Sequence, residues 1–235
     1  MTIPLPAESD YPAETFGGDL PTELRVGCAF AYFRSSPTAR RLFRRRVDLA
    51  FELVSGRRWE RVLDAGTGAG FMLPGLASLA DQVIGVDLSG VLGFTQGMLE
   101  RRRVANVWLE YGDLLQLPFA AESFDLVTCL SVIEHIPDPT AAFAEFARGL
   151  RPAGTLVVGY PLEHGLFRFF EALCRGYKRL KLRARARRGP AFHPHVSRHA
   201  TINGSWEPHF RLDADRLIRL AGIPMYRIAR LIRSD

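Results

Sequence analysis

Arg61 to Gly70 reads R-V-L-D-A-G-T-G-A-G. A short apolar run ends in a carboxylate, Asp64, and glycine then takes every second position, at 66, 68 and 70. Glycine at this spacing lets a chain leave a strand through a sharp turn with positive φ, and lets a ligand approach bare backbone. A helix starting near Gly70 would aim its unpaired N–H groups at that ligand. A glycine-rich turn by itself is more often a plain turn than a site, so its surroundings decide the reading.

Downstream, short apolar strands alternate with helical segments. Strands are expected at 62–63, 82–86, 106–111, 124–130 and 155–160. Helices are expected at 71–80, where Pro74 is tolerable only in the first turn, at 89–103 with Ser89 near the N-cap, and at 139–150, closed by Arg151 to Gly154. This alternation predicts an α/β fold: a doubly wound, mostly parallel sheet of six or seven strands, Rossmann-like, with helices on both faces. Ligands of such sheets sit beyond the carboxyl ends of the strands, at the switch point.

Upstream, residues 1–33 are rich in Pro, Gly and aromatics and read as an irregular arm. Ser36-Pro37 signals a helix start, with Leu42, Phe43, Val47, Leu49, Ala50, Leu53 and Val54 apolar and Gly56 as the stop. Arg40, Arg41, Arg44, Arg45 and Arg46 are assigned to its opposite face. After Tyr160 the alternation stops. A basic insertion and a loop with His193, His195, His199 and His209 follow, then a final helix from Asp213 to Ala221 with Gly222 at its end, then a strand at 225–232. Four regions result: arm and helix at 1–56, a core at 57–160, the insertion and loop at 161–212, and a last helix and strand at 213–235.

A hydrophobic fraction of 47% argues against general disorder, and no apolar run is long enough for a transmembrane helix. The acidic, proline-bearing start lacks the pattern of a signal peptide. Cys28, Cys129 and Cys174 are odd in number and widely spaced, which excludes a disulfide framework and a CxxC metal site and fits a reducing cytoplasm. No acidic or cysteine partner stands at ligand spacing from the late histidines, so no metal is expected. The net charge of +6 is local: residues 165–190 hold nine Lys or Arg against one Glu, leaving the remainder slightly acidic.

Asp87 closes the second expected strand, 21 residues after Gly66. An aspartate there can accept from both hydroxyls of a ribose. Asp113, after the third strand, could accept from an adenine amine, with Leu88 and Leu114 against the ring. A nicotinamide fingerprint would place glycine at the first, third and sixth positions, but here Phe71 holds the sixth.

D-A-G-T-G-A-G, V-D-L-S, G-D-L-L-Q-L-P-F and S-F-D-L-V-T-C-L-S-V-I-E-H-I together resemble the class I S-adenosylmethionine-dependent methyltransferases. More narrowly they resemble the type 11 branch that contains the ubiquinone- and menaquinone-biosynthesis methyltransferases. The resemblance covers about 57–160. It implies S-adenosyl-L-methionine as cofactor. Asp64 and the backbone of Ala65, Gly66, Thr67, Gly68 and Gly70 would hold its amino-acid end, Asp87 the ribose, Leu88, Asp113 and Leu114 the adenine. Ser131 would lie near the methionine moiety. His135 is the best-placed candidate general base, though a structural role, fixing the loop by a hydrogen bond, is the more ordinary reading of E-H-I. The customary seventh strand is unaccounted for, leaving six strands or a substitute within 200–210.

The expected function is methyl transfer by in-line displacement to a small-molecule, lipid-like acceptor. The absence of N-P-P-Y or D-P-P-Y disfavours methylation of exocyclic base amines. RNA-directed methylation and non-catalytic cofactor binding are the alternatives. The apolar stripe of 166–180 beside the basic residues of 165–188 has three readings: a pocket cover, a contact with an anionic membrane at its inner face, and a grip on RNA phosphates.

Overall fold

The computed structural model describes residues 3–12, 15, 32–34, 36–88, 90–162 and 196–234. The basic segment 165–188, Phe30, Ser89, His193 and His195 lie outside them. Seven strands form one sheet: β1 (Trp59–Ala65), β2 (Ala80–Asp87), β3 (Val107–Tyr111), β4 (Phe124–Leu130), β5 (Leu150–Pro161), β6 (Phe210–Leu220) and β7 (Ile223–Arg233). Their order is β3-β2-β1-β4-β5-β7-β6. Pairs from β3 through β5 are parallel, and β7 runs antiparallel to both β5 and β6. Because β1 lies between β2 and β4, the crossovers diverge there, and the switch point falls at the carboxyl ends of β1 and β4.

Among the described residues five α-helices cover the faces: α1 (Pro37–Val54), α2 (Leu73–Leu79), α3 (Leu92–Arg101), α4 (Pro139–Gly149) and α5 (His199–Trp206). Successive residues of a strand face opposite sides. Val62 accordingly joins the apolar cluster of α1, α2 and α3 (Val47, Phe51, Leu73, Leu76, Met98). Leu63 joins that of α4 and α5 (Phe143, Phe146, Ile202, Trp206). Both clusters are closed to water, so the central strands β1, β2, β4 and β5 are buried on two sides, as their near-continuous apolar runs require.

The start of α1 follows the expected device: Ser36 Oγ accepts from Ala39 N, and Pro37 occupies the first helical position. α4 uses the same arrangement, with Asp138 Oδ1 accepting from Ala141 N. Pro74 falls in the first turn of α2, which spans 73–79 rather than 71–80. α3 starts at Leu92, with Val91 as its N-cap. Residues 151–154 do not close a helix but belong to β5, where Ala153 takes φ +56° and the pairing with β4 shifts register.

The largest departure lies at the carboxyl-terminal end. The expected helix at 213–221 is strand β6, and 200–210 holds α5 rather than a substitute strand. Ala221 (φ +49°) and Gly222 (φ +82°) form a two-residue turn with Leu220 paired to Ile223. Two successive positive φ angles match the twist of a tight hairpin, so Gly222 turns a strand instead of ending a helix. The sheet therefore has its seventh strand.

Among the described residues, no helix is long and apolar enough to cross a membrane, and no group of His, Cys, Asp or Glu could hold a metal ion.

Candidate active site

β1 delivers Asp64 and then turns through Gly66, Gly68 and Gly70, whose φ angles are +77°, +51° and +68°. The turn is held to β2 by the N–H groups of Gly66 and Thr67, both bonded to the Val86 carbonyl. A Cβ at Gly66 would overlap the methyl groups of Val132. Glycine is thus required there by the loop after β4 as well as by backbone conformation.

Asp64 is 4% exposed. Its Oδ2 accepts from Thr67 Oγ1 and its Oδ1 from Thr128 Oγ1, each at 2.7 Å. Burial pushes its carboxyl up to about 6, against the opposing effect of the two hydroxyl donors. A cationic group arriving beside it would favour the ionised form.

Asp87 ends β2, one strand away. Its Oδ2 accepts the Gly68 N–H at 2.8 Å, which ties carboxylate and glycine turn into one unit. A carboxylate has about four acceptor positions, so this bond is compatible with ribose hydroxyls on the same group. Leu88 follows, 53% exposed, while Leu114 is buried at 6%. Asp113 stands at the surface after β3, and its Oδ1 accepts from Leu115 N at 2.9 Å, closing its own turn. That oxygen is occupied as a turn residue would be; the second is positioned by the same bond. The strands carrying Asp64, Asp87 and Asp113 are consecutive in the sheet, so the three tips lie about one strand spacing apart, ~5 Å each.

Ser131, just past β4, takes the left-handed conformation (φ +59°) and donates its N–H to the Gly159 carbonyl. Arg46 Nη1 donates to its Oγ at 2.6 Å, and the Tyr226 hydroxyl lies 2.7 Å from the same atom. Arg46 is therefore not on the solvent face of α1. Its guanidinium lies 3.8 Å from the Phe43 ring centroid, and its Nε is buried with no hydrogen-bond partner among the described residues. His135 ends a short 3-10 turn, Ile133–His135, beside the buried Glu134. Two described aromatics of the amino-terminal segment are packed: Tyr32 stacks on Phe71 at 3.7 Å, and Tyr11 Oη donates to the Ala69 carbonyl at 2.8 Å.

Arg46, Thr128 and Tyr226 escaped the sequence reading. Arg46 stands three residues after Phe43 and four before Ala50, on the apolar stripe, and Thr128 is the one hydroxyl inside L-V-T-C-L. Those two signals were available. Tyr226 had none, because its role depends on where β7 enters the sheet.

The polar groups suit a nucleoside that also carries an amino acid: carboxylates to accept from hydroxyls, amine and ammonium, and an arginine with a buried unpartnered N–H to donate to a carboxylate. The strand order and the switch-point turn define a class I methyltransferase fold. Residues 63–158 match the family model described as a methyltransferase domain. The ubiquinone biosynthesis O-methyltransferase of Xanthomonas oryzae pv. oryzae is 40% identical over 101 residues, 41% of this chain and 41% of that protein. The chain thus spans less than half the length of such curated relatives. Among solved structures, the N-methyltransferase NodS from Bradyrhizobium japonicum WM9, in complex with S-adenosyl-l-homocysteine, superposes with a TM-score of 0.59 at 19% identity, covering 86% of this chain and 90% of NodS. The cyclase SpnF superposes with a TM-score of 0.65 at 17% identity, covering 98% and 97%. These two likenesses bear on the fold.

Proposed function

We propose that the protein transfers the methyl group of S-adenosyl-L-methionine to a small, amphipathic acceptor. The observation that carries this reading is the Gly68–Asp87 bond: a positive-φ turn and an acidic strand tip locked together at the switch point. When bound, the cofactor supplies a methyl group already activated by the sulfonium charge. Asp87 would accept the ribose hydroxyls, and Leu88 and Leu114 would flank the adenine, with Asp113 toward its amine. Asp64 would face the ammonium, and Arg46 with Ser131 the carboxylate. Work of this kind is mainly alignment and exclusion of water, to which the packed Tyr11, Tyr32 and Phe33 contribute. The O-methyltransferases among the relatives favour a hydroxyl oxygen as the receiving atom. Such an oxygen must lose a proton, and His135 is the residue we assign to take it.

The basic segment 165–188 leaves after Leu162, whose N–H bonds the Met225 carbonyl, and the chain returns at Val196, bonded to the Glu134 carbonyl. Both anchors flank the carboxyl edge of the sheet. This supports a role for the segment at the acceptor's entrance, where it would contact anionic membrane lipid.

Incubation with methyl-labelled cofactor, followed by mass spectrometry of separated lipid, small-molecule and RNA fractions, tests the reading. Label in the first two fractions is expected. Label confined to RNA, or none with any acceptor despite cofactor binding, would overturn it. Sedimentation with phosphatidylglycerol vesicles tests the membrane contact; no association even at low salt removes it.

A further inference from the structure

Arg46, Ser131 and Tyr226 come from α1, the turn after β4, and β7, and they meet on one oxygen. Ser131 Oγ lies 2.6 Å from Arg46 Nη1 and 2.7 Å from Tyr226 Oη. A guanidinium has only donors, so the serine oxygen accepts from Arg46. A serine hydroxyl carries one proton and two lone pairs, so the direction of the tyrosine bond decides where the serine proton goes.

Tyr226 is 5% exposed, and burial raises its phenol far above the ordinary value, so it keeps its proton at every working pH. Ser131 Oγ is its hydrogen-bond partner among the described residues. Were the serine to donate instead, the buried phenolic proton would have no acceptor, which costs more than the bond returns. Tyr226 therefore donates, and both serine lone pairs are filled. The ring is fixed by its seat: a Cβ at Gly159 would stand 2.9 Å from Tyr226 Oη.

We propose that Tyr226 is a positioning residue that turns the Ser131 hydroxyl proton outward, so that Ser131 and Arg46 together present donors to a ligand carboxylate. The proposal rests on the methyltransferase reading, in which that carboxylate belongs to the amino-acid end of the cofactor. Two further observations agree with it. Arg46 has no acidic partner among the described residues, and its buried Nε awaits an acceptor. The guanidinium is held between two rings, 3.8 Å from the Phe43 centroid and 5.0 Å from that of Tyr226, so its orientation is set before a ligand arrives. A charge-assisted pair of donors is the arrangement that carboxylates select.

The test compares S-adenosylhomocysteine with 5′-methylthioadenosine, which has the nucleoside but no amino-acid end, by calorimetry. Tyr226→Phe should weaken the first about three- to tenfold, the scale of one hydrogen bond, and leave the second unchanged. Ser131→Ala should do the same, and the double variant should be no weaker than Ser131→Ala alone. Equal losses for both ligands, additive losses in the double variant, or an unchanged homocysteine affinity in Tyr226→Phe would overturn the proposal. A wild-type chain that binds neither nucleoside would instead sink the methyltransferase reading, and the proposal with it.

Discussion

Gly68 and Asp87 are joined by a 2.8 Å bond from backbone N–H to Oδ2, across the junction of β1 and β2. The carboxylate that would receive a ribose is thus part of the scaffold of the turn beside it. Removing it has two consequences, which different substitutions separate.

Asp87→Ala should weaken S-adenosylhomocysteine binding by about 1–3 kcal/mol, through loss of charge-assisted hydrogen bonds. Asp87→Asn keeps an oxygen for the Gly68 N–H, so its thermal midpoint should stay near wild type while affinity still falls. Calorimetry and a melting curve on both variants check this. Full affinity in Asp87→Ala would contradict the ribose assignment.

Asp64 gives the site a pH dependence. Its folded pKa, about 6, lies above the usual 3.8, because burial penalises the charge. The folded protein then holds a proton that the unfolded chain releases. The associated stability is complete below the usual value and is lost as pH rises through about 6. A ligand ammonium beside Asp64 reverses the preference, so S-adenosylhomocysteine affinity should climb as pH rises through 6. Titrations across that range should show the rise in wild type and a flat response in Asp64→Asn.

Gly70→Ala should destabilise the fold by about 2 kcal/mol or more, summing a left-handed backbone and an overpacked contact. The added methyl would lie 2.5 Å from Thr95 Cγ2, at φ +68°. Thr95→Ser in the same background removes that methyl and keeps the hydroxyl bonded to the Gly68 carbonyl. Denaturant unfolding should therefore show partial recovery in the double variant.

Tyr11→Phe removes the buried bond to the Ala69 carbonyl and should cost about 1 kcal/mol. The loss should be concentrated at the glycine turn, read as faster amide exchange at residues 66–70. Unchanged exchange there would mean that the amino-terminal segment contributes packing alone.

The first five strands were legible because each centres on a short apolar run, and β1, β2, β4 and β5 are buried on both faces along most of their length. The carboxyl-terminal hairpin was not. F-R-L-D-A-D-R-L-I-R-L places charges at irregular intervals, because β6 is an edge strand with exposed residues on both sides and register shifts at 212–214 and 218–219. Neither strand nor helix periodicity survives such bulges, and Gly222 serves a helix end as readily as a turn. Spacing alone placed Asp64 and Asp87 at strand ends and the glycines in the turn between them, where they stand in the fold. Arg46 was misassigned because a run of arginines reads as a solvated face, whereas one of them falls on the apolar stripe and reaches Ser131.

β6 precedes β7 in the chain but lies outside it in the sheet, so the order of synthesis and the order of assembly are opposed at this edge. A nascent chain halted before Ile223 would hold β5 with an open hydrogen-bonding edge, Val157 and Val158 uncovered, and β6 with nothing to join. Cells that truncate or stall this protein there should accumulate aggregate.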